Sequence, residues 1–308
     1  MAQEYTAEIG RALGWDLAHY GWIPREDAPA DVREGHAAGK AHHGRRTRHP
    51  TRFERKWLQL RQNALRRGRV VHEGITAKYI EAIDHATCPV TLCEMTHGTG
   101  LDTDWSVDRV NNDGAYADGN LVVMSVRANK AKDRKGFFEV SDIVKANRDM
   151  DGLTAKEWAR LKCIMLGACN TGNTLGGEFP LVTRIPNRCT RPPYHQLQHI
   201  ALLLAAAEST KRNAGMRELN RVQVDKNACS LLQLAVERLR TVLKTVDYKY
   251  EACCDTTFQG LLARWVERIP VANQAAYKKT LQSMAGGENL SASALRNWSL
   301  VSGGYFAR

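Results

Sequence analysis

Residues 105 to 132 leave this chain few folding options. Trp105-Ser-Val-Asp-Arg-Val110 is a short β-like run, Asn111-Asn-Asp-Gly114 is strong turn chemistry, and Leu121 to Met124 is a second apolar run of strand length. Val126 to Lys132 can open a helix. The expected order is strand, loop, strand, helix.

Periodicity organises the flanks. The first two dozen residues have the spacing of one or two short amphipathic helices, with Trp15 and Trp22 as packing anchors. Residues 25 to 50 are expected to be a linker, because Pro29, Gly35, Gly39 and Gly44 interrupt a polar run without an apolar period. From Thr51 onward, Phe53, Trp57, Leu60 and Ala64 recur at three- and four-residue steps. This predicts an amphipathic helix ending near Gly68, with Arg52, Arg55, Lys56 and Arg66 on its other face. Thr76 is placed to cap a short helix stapled by Ile75 and Ile80. Thr154-Ala-Lys-Glu157 is a capping box, and Leu153 with Trp158 has staple spacing, so a helix and a new domain are expected there. Residues 170 to 193 are loop-rich, and Leu197 to Ala207, Leu231 to Val246 and Phe258 to Val266 are helical in period. The expected fold class is α+β: a small ββα core with a basic helical N-terminal region and a mainly α-helical C-terminal domain. The expected boundaries are 1–50 for a helix and linker, 51–150 for the basic helix and core, and 151–308 for the accessory domain.

The net charge of +11 becomes informative when divided along the chain. Residues 1 to 39 are net −4, whereas residues 40 to 69 carry eleven basic side chains against Glu54 alone. Residues 70 to 150 are net −4 and residues 151 to 308 net +9. An acidic middle between basic flanks suits a protein whose flanks hold a polyanion while the middle gathers cations. The N-terminus has acids where a secretion signal needs basic residues, and no stretch approaches the roughly 20 apolar residues of a membrane span, so a cytoplasmic protein without a membrane partner is expected. Eight irregularly spaced cysteines are then expected mostly as reduced thiols.

The stretch CPVTLCEMTHGTGLDTDWSVDRVNNDGAYADGNLVVMSVRANKAK, residues 88 to 132, resembles the HNH, or His-Me finger, nuclease family. Asp108-Arg109, Asn120-Leu121 and Asn129 with Lys132 carry the resemblance, which is to the phage and bacterial variant with Asp-Arg in place of Asp-His. The resemblance implies a ββα-metal finger that hydrolyses phosphodiesters in DNA, in a phage, prophage or defence context. It implies one divalent cation, Mg²⁺ with Mn²⁺ as the alternative, held by Asp108 and Asn129. Asn120 is expected as a loop clamp or as the orienter of the base. The basic residues Arg45, Arg46, Arg48, Arg52, Arg55, Lys56, Arg66, Arg67, Arg69, Lys130 and Lys132 are expected on DNA.

Arg109 departs from the family where its general base stands, since a guanidinium stays protonated and cannot accept a proton from water. Its fork of donors suits a phosphate instead. The base is then His97, His85 or none, with the metal alone activating water; Asp102 and Asp104 are solvated loop acids near the site. The alternative function is a DNA-binding protein that keeps the finger as a docking module without cutting; a protein-interaction module is a third. Structural zinc is not expected, because Cys88 and Cys93 have no second pair near Ser125 and Ala128. His195 and His199 are expected on a helix surface, and the glycine-rich GNTLGG as plain loop.

Overall fold

The computed structural model describes residues 6–69, 71–112, 114–169, 179–185 and 192–285. Two N-terminal helices, α1 (Ala7–His19) and α2 (Ala30–His43), lie side by side. Arg11 meets Gly35, Trp15 meets Gly39 and His19 meets His43, so contacts advance in the same direction along both and the helices run parallel. The connector returns along the pair, held where His36 Nε2 meets the Trp22 carbonyl at 3.0 Å. Residues 30–43 are therefore helix, not the expected linker. The glycines that read as interruptions are where two backbones touch: a Cβ on Gly14 would collide with the Val32 carbonyl, one on Gly35 with the Arg11 carbonyl, and one on Gly39 would lie 2.9 Å from Ala18 Cβ.

Helix α3 (Arg52–Arg66) starts at a capping box in which Thr51 and Glu54 bond each other's backbone N–H. Leu58 faces Leu13, Leu17 and Val32, which joins α3 to the helix pair. Thr76 caps α4 (Ala77–Ile83), as its position before Tyr79 and Ile80 predicts. Strands β1 (Trp105–Arg109) and β2 (Leu121–Ser125) pair antiparallel, with Trp105 opposite Ser125 and Asp108 opposite Val122. Ser125 then caps α5 (Val126–Lys132), so the expected strand, loop, strand, helix order is present with the expected helix bounds. Asp113 of the turn lies outside the described residues.

The rest is helical: α6 (Phe137–Ala146), α7 (Ala155–Cys169), α8 (Pro193–Ala206), α9 (Ser209–Asn220), α10 (Lys226–Val242), α11 (Thr256–Glu267) and α12 (Gln274–Ala285). The Thr154–Glu157 capping box and the buried Leu153 and Trp158 open α7 as expected. One hydrophobic core runs from Leu60 through Val123, Trp158 and Leu197 to Leu281, so the chain has no break in its core at residue 150. Arg160 reinforces this continuity by donating to the Val90 carbonyl at 3.2 Å and to Glu251 at 2.9 Å. His195 is fully buried, with Nε2 at 3.1 Å from the Phe179 carbonyl, which corrects its expected place on a helix surface; His199 is half-buried and stacks on Tyr250. The GNTLGG run lies outside the described residues. Among the described residues six cysteines are free thiols, and no helix is long and apolar enough to cross a membrane.

Gly35→Ala is expected to destabilise the protein by about 1–3 kcal/mol, because the added methyl overpacks a backbone contact and outweighs the gain in helix propensity. Gly260→Ala, in α11 with open space around its Cβ position, is the control and should be neutral or stabilising. Thermal unfolding measures both, and a Gly35→Ala protein as stable as the control would show that the two helices are not in obligatory contact.

Candidate functional site

Side chains alternate across a strand, so Ser106 and Asp108 leave one face of β1 while Trp105, Val107 and Arg109 leave the other. Helix α5 follows β2 directly and covers the Ser106 face, with Asn129 and Lys132 one turn apart on its strand side. Asn129 Nδ2 donates to Ser106 Oγ at 2.7 Å, and Lys132 Nζ stands 2.8 Å from Asp108 Oδ2. The expected ligands Asp108 and Asn129 thus share one strand–helix face, and Ser106 and Lys132 join them there.

Lys132 is fully buried and also donates to Asn112 Oδ1 at 2.9 Å. Its contact with Asp108 is close but poorly directed, so Oδ2 has no aligned hydrogen bond and the pair is held by charge. This burial corrects the expectation that Lys132 reaches DNA: its ammonium balances a carboxylate inside the protein. Ser106 was recognisable from its two-residue spacing to Asp108. Asn112 carried no signal beyond turn composition.

Asn120, also fully buried, clamps the loop between the strands. Its Oδ1 accepts from Asn111 N at 2.7 Å, and its Nδ2 donates to the carbonyls of Asn111 at 3.0 Å and Ala115 at 2.8 Å. Arg109 holds the same loop, with Nη1 donating to the carbonyls of Asn112 at 2.7 Å and Gly114 at 2.9 Å and the guanidinium over the Tyr116 ring at 4.9 Å. Burial pulls the Arg109 pKa below its ordinary value, and nearby Arg69 adds to the effect.

His97, considered as a base, does not face Asp108. His97 packs edge-on against Trp105, the far end of β1 and its opposite face, and its Nε2 lies 2.9 Å from Arg52 Nη1. Trp105 and Asp108 are three residues apart, about 10 Å of strand. His85 meets the Ile83 carbonyl at 3.0 Å, and burial lowers its pKa. Asp104 organises the loop before β1, accepting from Thr96 Oγ1, from Thr99 N and Oγ1 and from Gly100 N. Desolvation would raise its pKa, but together these hydrogen bonds outweigh it and hold the carboxyl at about 2. Asp102 pairs with Lys130 at 2.8 Å on the surface.

The basic residues separate into two kinds. Arg45, Arg46, Arg55, Arg66, Arg67 and Arg69 are exposed and form no ion pair among the described residues. Arg48 is exposed near Glu54. Arg52 is held by Asp84 at 2.7 Å, and Lys56 is half-buried with its ammonium 4.8 Å from the Trp105 ring centre, where desolvation lowers its pKa.

A hard divalent cation takes oxygen ligands. Ser106 engages the nitrogen end of Asn129, which leaves the carbonyl oxygen as the ligand end, and the exposure of Asp108 lies on Oδ1 because Oδ2 is buried. Both are oxygen donors of the kind a hard cation takes, and the Lys132 ammonium beside Asp108 weakens its pull on one. Among the described residues, no three His, Cys, Asp or Glu side chains are placed to hold a metal ion. The Cys88 thiol accepts from Ser125 N at 3.2 Å, and the Thr91 hydroxyl bridges Cys93 and Ser125, where a zinc site would need further thiols. No protein-family model matches the chain, and no curated protein or solved structure is significantly similar to it.

Asn120→Ala is expected to cost at least about 2 kcal/mol, because a buried N–H and two carbonyls lose their partner. Denaturant unfolding measures it, and a loss under about 0.5 kcal/mol would show that the loop is fixed by other contacts.

Proposed function

We propose that this chain is a DNA endonuclease of the HNH type, a ββα-metal finger that cuts phosphodiesters with a divalent cation. The observation that carries the reading is the joining of Ser106, Asp108, Asn129 and Lys132 on one strand–helix face. Asp108 Oδ1 and the Asn129 carbonyl are the oxygens that would hold Mg²⁺ or Mn²⁺. When bound, the cation supplies positive charge to the scissile phosphate and acidifies its water. Ser106 orients Asn129, and Lys132 with Asn112 fixes the Asp108 carboxylate. The exposed stripe of α3, where Arg55 and Arg66 recur at helical period, supplies phosphate contacts beside the finger.

Two observations favour a second reading, a DNA-docking module that does not cut. Arg109 is tied to loop carbonyls, and the Lys132 ammonium already neutralises Asp108.

Plasmid cleavage with Mg²⁺, Mn²⁺ or EDTA separates the two. Metal-dependent nicking that Asp108→Asn abolishes, with DNA affinity retained, is the expected result, because the amide keeps an oxygen toward the buried Lys132 while removing the charge that would hold a cation. Cleavage by the variant equal to the parent would overturn the site assignment. No cleavage by the parent over a range of DNAs and metals would leave the docking module. In either case, replacing Arg55, Arg66, Arg67 and Arg69 by Gln should reduce the slope of log affinity against log salt by up to roughly 0.9 per lost phosphate contact. An unchanged slope would move the footprint to the basic C-terminal half.

A further inference from the structure

Because α1 and α2 run parallel, both of their C-terminal ends meet at one pole of the pair. His19 closes α1, and His42 and His43 close α2. The ring centres of His19 and His43 are 4.6 Å apart and those of His42 and His43 are 5.0 Å apart, with Trp15 packed beside His42 at 5.0 Å and His43 at 5.2 Å. Three imidazoles bound to one tetrahedral ion, at metal–nitrogen distances of about 2.0–2.1 Å, place their ring centres roughly 5 Å apart. His43 already has this spacing to each of the other two rings, and binding would also have to bring the His19 and His42 rings together. In addition, His43 Nε2 is buried without a hydrogen-bond partner, a polar atom that a ligand would satisfy.

We propose that His19, His42 and His43 form a site for a borderline transition-metal ion, Zn²⁺ or Ni²⁺, separate from the Asp108 finger and independent of its function. In the present rotamers the rings meet edge to face and their nitrogens do not converge on one point. Rotation about both side-chain torsions of His19 and His42, the first to bring the rings together and the broad terminal one to turn their nitrogens inward, is the adjustment that binding requires. Imidazole binds metal in its neutral form. Each helix C-terminus presents about half a negative charge to the site. Arg45, Arg46 and Arg48 follow directly in sequence and oppose a cation, but they are exposed, so solvent and salt screen them. The three protein ligands leave a fourth position for water, as in open tetrahedral sites.

Titration of the full chain with Co²⁺ and Zn²⁺ tests the site. One tightly bound ion per chain is expected at micromolar metal, with a tetrahedral Co²⁺ spectrum lacking thiolate charge transfer, which excludes binding through cysteine. Zn²⁺ should raise Tm by a few degrees. His43→Gln and His19→Gln should each weaken binding at least tenfold while leaving the metal-free protein folded by circular dichroism, and Asp108→Asn, which keeps an oxygen toward Lys132, should leave metal binding unchanged. Binding that survives His19→Gln and His43→Gln, a thiolate spectrum, or no binding at micromolar metal would each overturn the proposal. Because the Asp108 finger takes oxygen ligands, failure of plasmid cleavage leaves this result untouched.

Discussion

A buried amide side chain sets the geometry on which the strand–loop–strand–helix unit of β1, β2 and α5 depends. With all three hydrogen bonds in use, Asn120 fixes the backbone at Asn111 and Ala115 and closes the loop that β1 and β2 share. Arg109 grips the same loop at Asn112 and Gly114. Held from both sides, Asn112 presents its Oδ1 to Lys132, and Lys132 in turn holds Asp108. The Asp108 carboxylate is thus the end of a chain of contacts that begins at Asn120. An unpaired buried charge at either Lys132 or Asp108 would be strongly destabilising, so the pair also constrains which substitutions the site tolerates.

The helical C-terminal half serves that geometry as a continuation of the core. Val122, Val123 and Met124 are all buried, which a two-stranded hairpin cannot achieve alone. Arg127 of α5 pairs with Glu157 of α7, and Thr183 bonds the Pro89 carbonyl, so both the helix after the hairpin and the segment before it are tied to residues beyond 150.

Local chemistry was legible in the sequence where one signal acted alone. Thr51 with Glu54, Thr76 and Thr154 with Glu157 announce helix starts because a cap is decided within four residues, and period-2 and turn signals located β1 and β2. Glycine misled the reading of residues 30–43, since the same missing Cβ that breaks a helix also lets two helices touch, and only a partner distinguishes the two uses. Likewise, His195 and Lys132 looked like surface residues by type, yet their burial depends on the distant partners Phe179 and Asp108. The strand-face rule would have placed His97 away from Asp108, but only if its contact with Trp105 had been known.

Counting charges also conceals that the basic cluster does two jobs. Arg61 pairs with Asp16 and lies over Trp57, Arg52 pairs with Asp84, and Lys56 sits on Trp105. These cations attach α3 to α1, to the end of α4 and to β1. Arg55, Arg66, Arg67 and Arg69 remain exposed. The helix that presents the exposed charges is therefore fixed relative to the strand that carries Asp108. For a polyanion this matters more than the total charge, because contacts to phosphate set register and orientation only when their donors are held in a fixed frame. A tail of equal charge would attract DNA without aligning it, whereas α3 holds its arginines in a fixed relation to the Ser106–Asp108 face.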